Sequence, residues 1–243
     1  MLRNRLIFSS NAAKSDAEKF YPEYAKKYRS LHFAGGTPDL SGLPDFTLLK
    51  ERYHIKEPYF IVPNQFWAHK NHMVILEALK LLKARRHPVT VIATGSTSDY
   101  RQPDYFGVLQ NKIRDDNLSE NFLVTGVIPY QDLLQLMLHA VAVINPSLFE
   151  GWSTSVEEAK ALDLKVILSD IPVHREQNPE KGIFFPPHDP ERLADILLLC
   201  LSDERADYGE VQLTRISEKM NEQHRIVAEN YERIVQETLE QPS

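Results

Sequence analysis

From residue 58 onward, short apolar runs rich in β-branched residues alternate with longer segments of helical period, and this alternation restricts the fold more than any other feature. It is the signature of a parallel sheet with crossover helices. The predicted strands are Tyr59 to Val62, Val89 to Ala93, Phe122 to Thr125, Val141 to Asn145, Val166 to Ser169 and Ile183 to Phe185. Between them, KNHMVILEALKLLKARR gathers Val74, Leu76, Ala78, Leu79, Leu81 and Leu82 mostly on one helical face, and Gln131 to Ala140 and Pro190 to Leu201 are further helices. Six strands with their helices suffice for a complete α/β domain with a doubly wound, Rossmann-like parallel sheet, assigned to residues 41–203.

The flanks are different. Arg5 to Phe8 and Ser30 to Phe33 read as two strands bracketing a polar helix, a fragment too small to be a domain of its own. Gly36 to Asp45, GTPDLSGLPD, has turn residues and no apolar period and reads as a linker, so residues 1–40 form a small N-terminal remnant. Residues 204–243 read as one or two C-terminal helices lying across the domain, with Ile216, Met220, Ile226, Val227, Tyr231, Ile234 and Val235 at roughly helical spacing.

The formal charge of −6 and the lack of a clustered basic surface argue against a nucleic-acid partner. The one basic cluster, Lys83-Ala84-Arg85-Arg86-His87, ends a predicted helix, where cations complement the helix dipole; any membrane contact is at most peripheral. No run reaches the roughly 18 to 20 apolar residues of a membrane-spanning helix, and no signal-peptide core is visible, which points to the cytoplasm. Cys200, the sole cysteine, lies in LLLCL and reads as a small buried hydrophobe.

The segment most suggestive of chemistry is FEGWSTSVEEA, Phe149 to Ala159, directly after the apolar run VAVINPS. In open parallel sheets ligands bind beyond the carboxyl ends of strands, where helix N-termini offer free N–H groups to anions. Gly151 permits close backbone approach, and Ser153, Thr154 or Ser155 can cap the helix containing Glu158. A carboxylate about 4 Å from a bound phosphate costs roughly 4 kcal/mol at an effective dielectric near 20, so Glu150 and Glu158 should point at hydroxyls instead. Eight helical residues rise about 12 Å, and the partly irregular path here spans less, a separation suited to touching both the sugar and the ribose of a nucleotide-sugar. Glu157 serves as a control, because only one of two adjacent glutamates can face the ligand.

FEGWSTSVEEA resembles the E-x7-E signature of the retaining glycosyltransferases of family 4, which have the GT-B fold of two facing Rossmann-like domains. HKNH at His69 to His72, ATGS at Ala93 to Ser96, FLVTGVIPYQDLLQLM at Phe122 to Met137, VINPSLFEGW at Val143 to Trp152 and GIFFPPHDPERLADIL at Gly182 to Leu197 extend the resemblance over about residues 55–203.

The resemblance implies a C-terminal donor-binding domain and a sugar transfer from a nucleotide-diphosphate-sugar with retention. Glu150 would contact the transferred sugar and Glu158 the ribose hydroxyls, while the backbone at Trp152 to Ser155 would meet the sugar and diphosphate. Lys70 matches a diphosphate-binding lysine, and Gly95 and Val127 would lie near the nucleotide. Gln65 stands where the family commonly has an arginine, which leaves one formal cation at the phosphates. No cofactor and no metal is implied; His69 and His72, three apart without a third ligand, read as packing or sugar contacts, and Trp152 as a packing residue. In the family's pattern the donor phosphate itself assists the reaction. The family's acceptor domain is a whole Rossmann-like unit, and Met1 to Gly35 resembles only its last strand-helix-strand. The chain is therefore expected to be a truncated fragment, a split half whose acceptor domain is a separate chain, or a degenerate remnant, inactive alone and with its acceptor unidentified. A non-catalytic nucleotide-sugar binding module is the alternative; an unrelated dinucleotide-binding domain is disfavoured by the lack of a G-x-G-x-x-G fingerprint.

Overall fold

The computed structural model describes residues 4–36, 38–202 and 210–240, with side chains in the last stretch from residue 218 on, Met220 excepted. Thr37 of the linker, residues 204–209, and the side chains of Ile216 and Met220 lie outside the described residues. A six-stranded, wholly parallel sheet is built from β3 (Tyr59–Pro63), β4 (Thr90–Thr94), β5 (Phe122–Gly126), β6 (Val143–Asn145), β7 (Val166–Ser169) and β8 (Gly182–Phe185), in the order β5-β4-β3-β6-β7-β8. This is the doubly wound α/β fold expected from the sequence. The central strand β3 is apolar throughout because both of its faces are covered. Phe60 and Val62 join one core with α3 (His72–Ala84), α4 (Tyr105–Asp115) and α8 (Pro190–Ser202), which also takes Cys200; Tyr59 and Ile61 join the other with α2 (Phe46–Arg52), α5 (Tyr130–His139) and α6 (Thr154–Ala161).

The topology creates one crevice. The chain runs outward from β3 to β5, then returns to lay β6 on the other side of β3, so the loops after β3 and β6 leave in opposite directions at their carboxyl ends.

Several local expectations need correction. The second N-terminal strand is β2 (Tyr28–Ser30) and not Ser30 to Phe33, because Tyr28 is the residue buried there while His32 and Phe33 turn towards Trp152. β2 pairs in parallel with β1 (Leu6–Phe8), with α1 (Asn11–Phe20) between them. Helix α2 was not anticipated, and α4 and α7 (Pro172–Gln177) were expected only as crossovers without residues assigned to them. The linker is not a free spacer, since Leu40 and Leu43 pack on the second core. The basic cluster ends α3, where Lys83 donates to the Asn117 carbonyl and Arg85 pairs with Asp195 at 2.8 Å.

A single long helix, α9 (Glu210–Leu239), ties the two ends of the molecule together. Lys219 pairs with Asp163 and Glu180 at 3.2 and 3.0 Å, His224 Nε2 meets the Gly35 carbonyl at 3.0 Å, and Glu237 pairs with Arg29 at 2.8 Å. Among the described residues no helix is long and apolar enough to cross a membrane.

Candidate functional site

The two loops that open the crevice are laced together. After β3, residues Ala68–Lys70 form a 3-10 turn ended by Asn71 in the left-handed conformation (φ 54°, ψ 41°). The Asn71 amide donates to the carbonyls of Pro146 at 3.1 Å and Pro187 at 2.8 Å, and the Leu148 N–H donates to the His69 carbonyl at 2.8 Å. Lys70 is thereby brought to Glu150: its ammonium donates to Glu150 Oε1 at 2.6 Å, with side chains only 13% and 8% exposed. Ions this far from water persist only when paired. The Ser147 hydroxyl lies 2.7 Å from both Glu150 Oε1 and Asn145 Oδ1, and it can donate to one at a time.

Beneath this pair lies a buried polar network. Asn145 Nδ2 donates to Ser153 Oγ at 2.7 Å and to Ser155 Oγ at 3.3 Å, and Ser155 Oγ reaches Asn64 Oδ1 at 3.3 Å. The expectation that a hydroxyl caps α6 needs correction: Ser153 occupies the N-cap but makes no capping bond, because its hydroxyl is committed to Asn145. Ser153 and Ser155 are buried while Thr154 is exposed, so the first two can meet a ligand only through main-chain N–H groups.

Adjacent glutamates in α6 have opposite surroundings. Glu157, 3% exposed, accepts from Gln177 Nε2 at 2.8 Å and pairs with Lys160 at 3.1 Å. Glu158 is only partly buried and, among the described residues, accepts from the Tyr130 hydroxyl alone, at 3.3 Å. Burial raises the Glu158 pKa against the opposing pull of that hydroxyl, and burial together with Glu158 pushes Tyr130 up to about 12. Tyr130 is thus a neutral donor, a residue that no sequence motif singled out.

The remaining candidates line the rim. Gly95 has φ 135° and sits where a Cβ would come within 2.7 Å of the Asn64 carbonyl oxygen, so no other residue fits without moving the β3 loop. Gln65 is exposed beside it, and Val127 is exposed in the loop between β5 and Tyr130. Gly151 is approached by the N-terminal segment: Ser9 Oγ donates to its carbonyl at 3.1 Å. Trp152 stacks on His32 with centroids 4.5 Å apart and donates from Nε1 to the Phe33 carbonyl at 3.0 Å. The two histidines are drawn into separate contacts. His72 is buried on Phe66 at 4.4 Å, and burial and the Lys70 ammonium, against a weak pull from the Asn64 backbone, lower its pKa to about 3. His69 lies beside Trp67, its pKa lowered by burial and Lys70.

The profile of the family described as glycosyl transferases group 1 matches residues 46–223. The chain belongs to this family. Among proteins similar to this group 1 glycosyl transferase, the O-antigen chain mannosyltransferase RfbU of Salmonella typhimurium is 30% identical over 145 residues, which is 60% of this chain and 38% of that protein. A glycosyltransferase from Rickettsia africae superposes with a TM-score of 0.76 at 19% identity, over 99% of this chain and 65% of its own. Anabaena Alr3699/HepE in complex with UDP and glucose gives 0.74 at 16% identity, over 98% of this chain and 63% of its own. The likeness to these structures is one of fold, that of GT-B glycosyltransferases, and the chain spans less than two thirds of the length of each relative.

Proposed function

We propose that this group 1 glycosyl transferase chain carries the donor site of a retaining, family 4 enzyme and binds a nucleotide-diphosphate-sugar in the crevice between β3 and β6. The observation that carries this reading is the meeting of Lys70 and Glu150, 80 residues apart in sequence, at the topological switch point. HepE is described in complex with UDP and glucose, which supports a donor of the same class here. An incoming diphosphate offers Lys70 a second acceptor. As the ammonium turns to the phosphates, Glu150 is released towards the sugar hydroxyls and Glu158 accepts from the ribose. Stabilising charge on the departing nucleoside diphosphate is the main task of such a site, and Lys70 and the N–H groups at the start of α6 perform it without a metal. No side chain is assigned as nucleophile; the donor phosphate assists. Location in the cytoplasm belongs to this reading, and the sole, buried cysteine is compatible with it.

The residues described bind donor and do not transfer it alone. β1 and β2 form a two-stranded parallel sheet with Leu6 and Ile7 half exposed, although parallel sheets are ordinarily covered on both faces. This open face is where an acceptor half packs, whether it belongs to the same polypeptide or to a separate acceptor-domain chain. Thermal unfolding with UDP, GDP, ADP and their sugars, followed by a transfer assay, tests both statements. One diphosphate series should raise Tm, with transfer appearing only when an acceptor domain is added. No shift with any nucleotide would overturn the donor site, and robust turnover by the isolated chain would overturn the need for a partner.

A further inference from the structure

We propose that Arg101 is a second phosphate-binding cation of the donor site, gripping the diphosphate through its two Nη groups. This role presupposes the donor site proposed above, and it arises from the charge balance there. Lys70 already has its charge matched by Glu150 at 2.6 Å, so a diphosphate entering the crevice needs a further cation. The β3 loop supplies none: Gln65 is neutral, and the lowered pKa of His69 keeps its imidazole uncharged at neutral pH.

The loop after β4 brings one to the same rim. Gly95 crosses the β3 loop so closely that a Cβ would touch the Asn64 and Gln65 backbone at 2.7 to 2.9 Å, and the Phe66 N–H donates to the Ser96 carbonyl at 2.9 Å. Further along, Asp99 accepts from the Ala68 N–H at 3.4 Å, two residues before Lys70. Asp99, 4% exposed, also accepts from the Arg101 N–H at 3.0 Å and faces Arg101 Nε at 3.5 Å. The guanidinium lies over the Trp67 ring, with Cζ 4.9 Å from the centroid, and the Trp67 and His69 rings are 5.6 Å apart. Facing Asp99 at Nε and lying near the rings of both Trp67 and Tyr100, the latter centroid 5.3 Å from Cζ, the guanidinium has no hydrogen bond at Nη1 or Nη2 among the described residues, and its side chain is 47% exposed. Two coplanar donors left open on an oriented guanidinium are the arrangement that grips a phosphate at two oxygens.

Calorimetric titration of UDP, GDP, ADP and the corresponding nucleosides against wild type, Arg101→Gln, Arg101→Lys and Lys70→Ala tests the role. Arg101→Gln should weaken the diphosphate by roughly tenfold or more, leave the nucleoside and Tm unchanged, and reduce the salt dependence of binding. Arg101→Lys should recover only part of the loss, because an ammonium lacks the coplanar pair. A wild type that binds, loses affinity on Lys70→Ala and keeps it on Arg101→Gln overturns this role alone. Equal losses of nucleoside and diphosphate on Arg101→Gln overturn it too, and a wild type that binds no diphosphate overturns it together with the donor site.

Discussion

Lys70 and Glu150 stabilise one another only as a pair. Removing one partner leaves a nearly buried charge without compensation, so Lys70→Met should cost up to about 3 kcal/mol, and adding Glu150→Gln to it should recover much of that loss. Urea unfolding of the two single variants and the double variant measures the coupling, and strictly additive losses would contradict it. Glu158 behaves in the opposite way. Its raised pKa means that burial penalises the ionised form, a penalty present at neutral pH and relieved as pH falls through the raised folded value. Glu158→Gln should therefore raise Tm at pH 7 while weakening nucleotide binding. The spacing of the motif selected Glu150 and Glu158, but nothing in the sequence announced that Lys70 meets Glu150. Tyr130 and Arg101 were illegible for the same reason: Tyr130 meets Glu158 between α5 and α6, and Arg101 meets Trp67 between two loops, contacts that only the fold brings together.

At the scale of elements, α3 carries a penalty that appears in acid. His72 opens the helix, lies fully buried on Phe66, and has its pKa lowered from 6.5 to about 3. The unfolded chain binds a proton below pH 6.5 that the folded chain refuses, so stability falls as pH drops from 6.5 towards 3, by up to about 1.4 kcal/mol per pH unit. His174, buried with its pKa also lowered by burial, adds to the same slope. Thermal unfolding between pH 7 and 4 should show a shallower decline for His72→Phe than for wild type; parallel curves would contradict the assignment. Elements with long apolar periods, such as α3 and the six strands, were legible in the sequence. α4 was not, because Gly107 and the polar residues of its second half hide the Tyr105, Leu109 and Ile113 stripe, and α7 is too short to show a period. β2 slipped because the apolar residues after it serve Trp152 and not the sheet.

Over the whole molecule, the N-terminal unit, the crevice and α9 are joined at one seam. Glu176 of α7 accepts from the main-chain N–H groups of Asn11 and Ala12 at 2.7 and 3.2 Å and faces His32 Nε2 at 2.5 Å, while His32 stacks on Trp152 of the ligand turn. A Cβ on Gly35 would lie 3.2 Å from the Glu157 backbone. The small unit thus braces the start of α6, the element whose two glutamates are proposed to divide support from recognition. Calorimetric titration of the nucleoside diphosphate that stabilises wild type, repeated on Glu158→Gln and Glu157→Gln, tests that division most directly. Glu158→Gln should lose about 1.5 to 3 kcal/mol of binding with a higher Tm at pH 7, whereas Glu157→Gln, whose partners are Gln177 and Lys160, should lower Tm and leave affinity unchanged. Equal losses of affinity in the two variants, or a loss confined to Glu157→Gln, would contradict a ribose-binding Glu158 and with it the donor site between β3 and β6.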